Sequence, residues 1–199
     1  MLTTFRNLPE FTFEDFKNIF KKTKLENYCL IHFESRNFQE NKKMIDFIRN
    51  NDPNREIKVS VELEKPKLSF ENFIGLDLDY LFIEKDFALN IGLQDIDEVM
   101  TKLAPKTSPN CTVICPWGES GAKAIDNRTN KIVSSPIYSP KTGVIDTLGA
   151  GDTFVASTLF ALQVLKLDLQ HSIQFGCKVA GAKCGFEGYE LIDKFENML

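Results

Sequence analysis

The sequence predicts an α/β protein built on an open, mostly parallel sheet with helices on both faces. Short apolar segments typical of strands alternate along the chain with segments of helical periodicity. The connections between these strands have the length of a helix, and such connections join parallel strands by right-handed crossovers. A glycine-rich segment also runs straight into an apolar helix. Because ligands of open α/β sheets bind beyond the carboxyl ends of the strands, we expect the functional site there.

The first half of the chain contains three predicted strands, each a short run of apolar and β-branched side chains. Between the first two, apolar residues recur at helical spacing, which predicts a helix over residues 38–50. Asn37 and Glu40 stand three residues apart at its start, which is the spacing of a capping box. The predicted strands are residues 28–33, 57–63 and 80–83.

The second half continues this alternation and adds a hairpin. A helical segment begins at Asp86, and a further helix over residues 95–103 carries acidic side chains in its first turn. A strand at 112–115 precedes a predicted hairpin over 121–134, whose turn begins at Asp126. Two helices then close the chain. They are predicted at residues 152–165 and 169–183.

Composition and charge argue against several classes of protein. A chain of 199 residues is expected to form one domain, and its net charge of -4 argues against a general nucleic-acid binder. No run approaches the roughly 18 to 20 apolar residues of a membrane span, and the N-terminus lacks the layout of a secretory signal. The five cysteines include no CxxC pair, so we expect buried or half-buried thiols and no zinc site. These features predict a cytoplasmic protein with no membrane or nucleic-acid partner.

The segment with the most distinctive chemistry is the glycine turn, residues 149–152. Consecutive small residues at a helix start let backbone N–H groups approach an anion, and the positive end of the helix dipole favours negative charge. A phosphate would therefore fit against Gly149, Ala150 and Gly151. Asp152 has two interpretations. It could be a general base that takes the proton of an attacking hydroxyl, or simply the N-cap of the helix.

The residues of this turn resemble the C-terminal signature of the ribokinase-like sugar kinases, the pfkB group. The segment Asp146-Thr-Leu-Gly-Ala-Gly-Asp152 joins the glycine pair, the acid and a flanking Asp-Thr in one order. Other segments resemble the ketohexokinase branch of that family, and the resemblance extends from about Asn7 to Tyr189. These segments are Asn7–Pro9, Ile31–Asn37, Val59–Pro66 and Phe175–Gly185.

This resemblance implies a ribokinase-like, three-layer fold and a phosphotransferase activity. Residues 1–199 would form one partial kinase domain, with the nucleotide-binding part at 111–189. The implied reaction moves the γ-phosphate of ATP to a ketohexose, giving fructose 1-phosphate from fructose. Asp152 would be the general base and contact the substrate, and Gly149 to Gly151 would form the catalytic anion hole and bind the nucleotide phosphates.

The resemblance also implies further nucleotide contacts. Pro116, Trp117, Gly118 and Glu119 follow the strand at 112–115, where ketohexokinases line the nucleotide site. Cys177 matches a position near the adenine. Without the resemblance, the single tryptophan would be assigned to the core.

Magnesium is expected to be held mainly by the nucleotide phosphates and water. Many sugar kinases of the group carry an Asn-x-x-Glu motif after a central strand, whereas residues 85–88 here read Lys-Asp-Phe-Ala. Ketohexokinases resemble this chain in lacking the motif, and Mg²⁺ commonly keeps several waters beside substrate phosphates. We therefore assign no protein metal ligand. Relatives are activated by K⁺, so K⁺ activation is a further expectation without an assigned site.

The resemblance begins about a third of the way along ketohexokinases. We therefore expect the fold to lack the N-terminal strands, the sugar-binding residues they carry and the β-lid that forms the clasp of the family's homodimer. Two alternatives to a ketohexokinase remain open. One is a catalytically inactive truncated isoform or fragment that binds nucleotide or a partner subunit, and the other is a kinase of another sugar or a nucleoside.

Overall fold

The computed structural model describes residues 9–64, 69–141 and 143–189, and it contains a six-stranded sheet in which strand order follows chain order. The first four strands are parallel, and the last two continue the sheet as antiparallel neighbours. Asn7, Leu8, Lys65 and Pro66 of the family-like segments lie outside the described residues. The strands are β1 (Leu30–Glu34), β2 (Lys58–Leu63), β3 (Tyr80–Ile83), β4 (Thr112–Pro116), β5 (Ala122–Asp126) and β6 (Lys131–Ser135).

One helix precedes β1, and the others lie where the periodicity predicts, either between strands or, for the last two, after β6. A short π-helical turn, Val99–Leu103, extends the fourth helix, so the predicted helix over 95–103 is irregular. Among the helices in the described ranges, none is long and apolar enough to cross a membrane. The helices are α1 (Phe13–Phe20), α2 (Phe38–Asn51), α3 (Lys85–Asn90), α4 (Ile96–Glu98), α5 (Ala150–Gln163) and α6 (Leu169–Lys183).

Helices cover both faces of the sheet. Successive side chains of a strand point to opposite sides, so apolar strand residues lie on both faces and pack against helices there. On β3, Leu81 and Ile83 belong to the core beneath α2 and the 85–104 segment, whereas Phe82 packs in the core beneath α5 and α6. On β4, Val113 and Ile114 divide in the same way. The predicted three-layer α/β architecture is therefore confirmed.

Close packing between α5 and α6 fixes the position of the glycine turn. A Cβ on Gly176 of α6 would lie 2.1 Å from Oγ1 of Thr158 on α5 and 3.0 Å from the Phe154 ring. Only a glycine lets the two helices approach this closely. Their shared face packs on β3 to β6, which places the first turn of α5 beside Glu84, directly after β3.

Three local predictions were wrong. Asn37 makes no side-chain capping bond, and Glu40 instead accepts a 2.6 Å hydrogen bond from the Phe13 N–H, which ties α1 to α2. α5 begins at Ala150 rather than at Asp152. All five cysteines are free thiols, but Cys29 is exposed rather than buried.

Candidate active site

The glycine turn leads directly into α5, a helix of 14 residues. Gly149 is the N-cap residue and has a φ of +75°, in the left-handed region that favours glycine. A Cβ there would also lie 1.9 Å from the hydroxyl oxygen of Tyr189. Asp152 is the third helical residue and is exposed, so it is not the N-cap. The turn thus presents the positive end of a full-length helix with a carboxylate beside it.

Within the turn, one amide already has a backbone partner. The Ala150 N–H donates to the Thr147 carbonyl at 3.1 Å, and the Thr153 N–H donates to the Gly149 carbonyl at 2.9 Å. These bonds hold the turn in the shape of a helix start.

An anchor at the end of α6 holds the segment that precedes the turn. The Ile145 and Asp146 N–H groups both donate to the Cys184 carbonyl, at 2.7 and 3.2 Å. Asp146 accepts hydrogen bonds from the Leu148 N–H at 2.9 Å and from the buried Lys183 ammonium at 3.0 Å. These two donors, with the Gly188 N–H, hold the pKa of the Asp146 carboxyl below its usual range.

Acidic side chains converge at the carboxyl ends of β2 and β3. Glu84 directly follows β3, and its Oε1 lies 3.4 Å from where a Cβ of Gly151 would be. The pKa of the Glu84 carboxyl is raised to about 8. Burial is the largest cause, and the nearby acidic groups of Glu62, Glu64 and Asp152 raise it further. The raised pKa favours the protonated form of the Glu84 carboxyl, which can donate a hydrogen bond to Glu62.

A cleft of about 320 Å³ opens between the glycine turn, α6 and the loop after β4. Its lining contains Ala150 and Gly151 from the first turn of α5, and Glu84 from the end of β3. It also contains several residues of the sequence-based nucleotide site. These are Pro116, Gly118, Glu119 and Cys177.

Trp117 is not brought to this cleft. Its side chain is 8% exposed and belongs to the core on the α2 side of the sheet. The reason is the alternation of a strand, because Cys115 and Trp117 point to one face while Pro116 borders the cleft on the other. Its assignment to nucleotide binding remains a prediction that this placement does not support.

A second, more open groove of about 570 Å³ lies along β1 and α5. Asp152 lines one end, together with Glu34 and Glu62 near the carboxyl ends of β1 and β2, and with His32 from the middle of β1. Nδ1 of His32 is 3.0 Å from the Ser60 hydroxyl, which fixes the imidazole against the sheet. This end of the groove is polar and acidic, and such a surface suits a ligand rich in hydroxyl donors.

Sequence reasoning missed Glu84 and the pair formed by Asp146 and Lys183. Glu84 could have been found, because it stands directly after a predicted strand, at the end where ligands bind. The role of Lys183 could not, since an isolated lysine near a helix end is normally exposed. No group of three His, Cys, Asp or Glu side chains in the described ranges is arranged to hold a metal ion. The assignment of Mg²⁺ to nucleotide phosphates stays a prediction.

Comparison with solved structures identifies the class of fold. Ribokinase from Giardia lamblia superposes with a TM-score of 0.74 at 17% identity, over 95% of this chain and 65% of that one. Arabidopsis thaliana ribokinase complexed with ribose and ATP superposes with a TM-score of 0.67 at 16% identity, over 82% of this chain and 52% of that one. The chain therefore has a ribokinase-like α/β fold.

The sequence comparisons define the family. A profile described as pfkB family carbohydrate kinase matches residues 78–191, and the chain belongs to that family. Mouse (Mus musculus) ketohexokinase is 35% identical over 188 residues, which cover 92% of this chain. The chain spans 60% of the length of that ketohexokinase.

Proposed function

We propose that this protein catalyses ATP-dependent phosphorylation of a ketohexose, with fructose giving fructose 1-phosphate. One observation carries the proposal, namely that the first turn of α5 borders both cavities. Ala150 and Gly151 line the cleft, whereas Asp152 lines the polar end of the groove. A nucleotide in the cleft and a sugar in the groove would meet at this turn, and phosphoryl transfer needs donor and acceptor in line.

The reaction follows from these positions. The acceptor hydroxyl gives its proton to the Asp152 carboxylate while its oxygen forms a bond to the γ-phosphorus. The bond between that phosphorus and the β–γ bridging oxygen breaks, and ADP leaves with the electron pair. The amide groups at the start of α5 and the dipole of the helix stabilise the negative charge on the transferring group.

Glu84 assists by remaining protonated. A carboxylate that close to Gly151 would repel a phosphate, but a neutral carboxyl does not. Residues 111–189 would form the nucleotide-binding part of a single kinase domain. Mg²⁺ would be held chiefly by the phosphates it accompanies, and K⁺ activation remains part of the proposal without an assigned site.

Fructose as the acceptor is supported by the identity to mouse ketohexokinase, which is twice that to the two ribokinases. The acidic end of the groove also suits an uncharged sugar better than a sugar phosphate, because Glu34, Glu62 and Asp152 all line it.

The decisive experiment is fructose-dependent release of ADP from Mg-ATP by the purified 199-residue chain and its Asp152→Asn variant. Loss of the general base should lower turnover by at least about 100-fold, while ATP affinity stays within about twofold. Ribose and adenosine replace fructose in parallel assays, which tests the two other acceptor classes.

The matched control is Asp15→Asn. Asp15 occupies the same third position in the first turn of α1 and lines neither cavity, so its loss should leave turnover unchanged. Near-normal turnover in Asp152→Asn would refute the base assignment. Nucleotide binding without fructose-dependent release would favour the alternative of an inactive fragment.

A further inference from the structure

Lys183 is an unusual residue because its side chain is only 1% exposed, at the last position of α6. Its ammonium donates to both the carbonyl and the carboxylate oxygen Oδ2 of Asp146, each at 3.0 Å. The ammonium also lies 5.7 Å from the centre of the Tyr189 ring. A buried lysine is costly unless it is paired, so this position demands a specific partner.

Asp146, the partner of Lys183, is also bonded to the segment that enters the glycine turn. While Lys183 holds one carboxylate oxygen of Asp146, the other accepts the Leu148 N–H, one residue before Gly149. The Gly188 N–H donates to the same oxygen that Lys183 holds, at 3.0 Å. The orientation of this carboxylate therefore links the end of α6 to the start of α5 through a continuous set of hydrogen bonds.

We propose that Lys183 is a positioning residue, which orients the glycine turn for phosphate through the carboxylate of Asp146. Lys183 does not line the cleft, so it acts through Asp146 rather than by contact with the ligand. The proposal rests on the function proposed above, since it assumes that the turn binds a nucleotide phosphate.

The experiment separates positioning from simple stabilisation with three variants of the full chain. Lys183→Met removes the ammonium, Asp146→Asn removes the carboxylate charge, and the double variant removes both without leaving an unpaired buried charge. Lys131→Met, at an exposed lysine on β6, is the control. Each protein is measured by amide hydrogen exchange without nucleotide, by binding of ADP and of adenosine, and by thermal unfolding.

In Lys183→Met we expect faster exchange of the Leu148 and Gly188 amides, with the interior of the sheet unchanged. Affinity for ADP should fall by about tenfold, because small displacements at such a site are costly, while adenosine affinity changes less than about twofold. The double variant should recover thermal stability but not ADP affinity. Lys131→Met should match the wild type in every measurement.

A merely structural lysine would give the opposite pattern. The double variant would then recover ADP affinity together with stability, or the ratio of ADP to adenosine affinity would not change in any variant, and either result overturns the proposal. If the wild type binds neither ligand, the proposed function fails, and unchanged exchange of Leu148 in Lys183→Met would separately reject Lys183 as the residue that holds the turn.

Discussion

At the carboxyl end of β3, Glu84 lies next to the first turn of α5 and close to three other acidic side chains. Its Oε1 is buried and has no hydrogen-bond partner among the described residues. Its pKa of about 8 compares with an ordinary value of 4.5, and burial is the largest cause. A folded-state pKa above the unfolded value means that the folded chain keeps a proton which the unfolded chain has released.

Replacement of Glu84 by Gln should therefore change the pH dependence of stability. Between about pH 4.5 and 8, the wild type binds more protons when folded, so its free energy of unfolding falls as pH rises and levels off above about 8. In Glu84→Gln, which has no carboxyl at this position, the free energy of unfolding does not fall with pH for this reason. We expect it to be more stable than the wild type by on the order of 3 kcal/mol at pH 7, and equal to it near pH 4.

Urea denaturation at about pH 4, 7 and 9 measures the difference, and Glu119→Gln, at an exposed glutamate of the same cleft, is the control. A constant difference between Glu84→Gln and the wild type across this range would show that Glu84 is ionised at neutral pH. The proposed neutral carboxyl beside the phosphate would then be wrong.

Single residues differ in how well the sequence predicts them. Asp152 and the glycines could be proposed from the sequence because their expected chemistry depends on neighbours within the same turn. The nucleotide assignment of Trp117 stays a prediction that rests on the family resemblance, whereas its ring lies in the core on the other face of the sheet from the cleft. Lys183 and Asp146 are 37 residues apart. Only the packed fold brings their charges together.

At the scale of elements, the strands and helices were predictable because each shows a clear hydrophobic period. The ends of these strands and helices were less predictable. The start of α5 depends on the φ of +75° at Gly149, and α1 makes its own contact with the residue expected to cap α2. The π-helical turn at Val99–Leu103 has no signal in the periodicity. Caps and irregular turns are decided by tertiary contacts, which a local pattern does not contain.

The close contact of α5 with α6 gives the prediction at this scale. In Gly176→Ala, the added methyl would overlap Oγ1 of Thr158 at 2.1 Å and press on the Phe154 ring at 3.0 Å. Overpacking of this kind forces the helices apart, and we expect a loss of about 2 kcal/mol in the free energy of unfolding. The midpoint of urea denaturation, at an unchanged m-value, measures the loss.

The companion variant is Thr158→Ala, which removes the nearest obstacle. The double variant Gly176→Ala with Thr158→Ala should regain most of the stability that Gly176→Ala loses, because only the Phe154 contact remains. If the two losses simply add, the methyl does not meet Thr158, and the helices are not held at the distance described.

At the scale of the whole molecule, each strand of the sheet pairs with the next one along the chain, which is why the alternation of elements in the sequence predicts the sheet well. The same order leaves β1 as the terminal strand within the described sheet. Beside it, the last turn of α5 and its C-cap residue expose a stripe of large apolar side chains along the open groove. Phe160 is 44% exposed and Val164 is 59% exposed. Contiguous apolar patches of this kind promote association of a soluble protein.

Self-association of the chain should therefore depend on this stripe. We expect the sedimentation coefficient of the wild type to rise with protein concentration, and the variant with Phe160→Gln and Val164→Gln to show little rise. Glutamine keeps the net charge at -4, so the change isolates the loss of apolar surface. Because both side chains are exposed, the free energy of unfolding should change by less than about 1 kcal/mol.

The control replaces Ile19 and Ile132 by Gln, since these are exposed to a similar extent but do not line the groove. An equal effect of the control pair would attribute association to total apolar exposure, and a wild type whose sedimentation does not depend on concentration would show that this face does not associate.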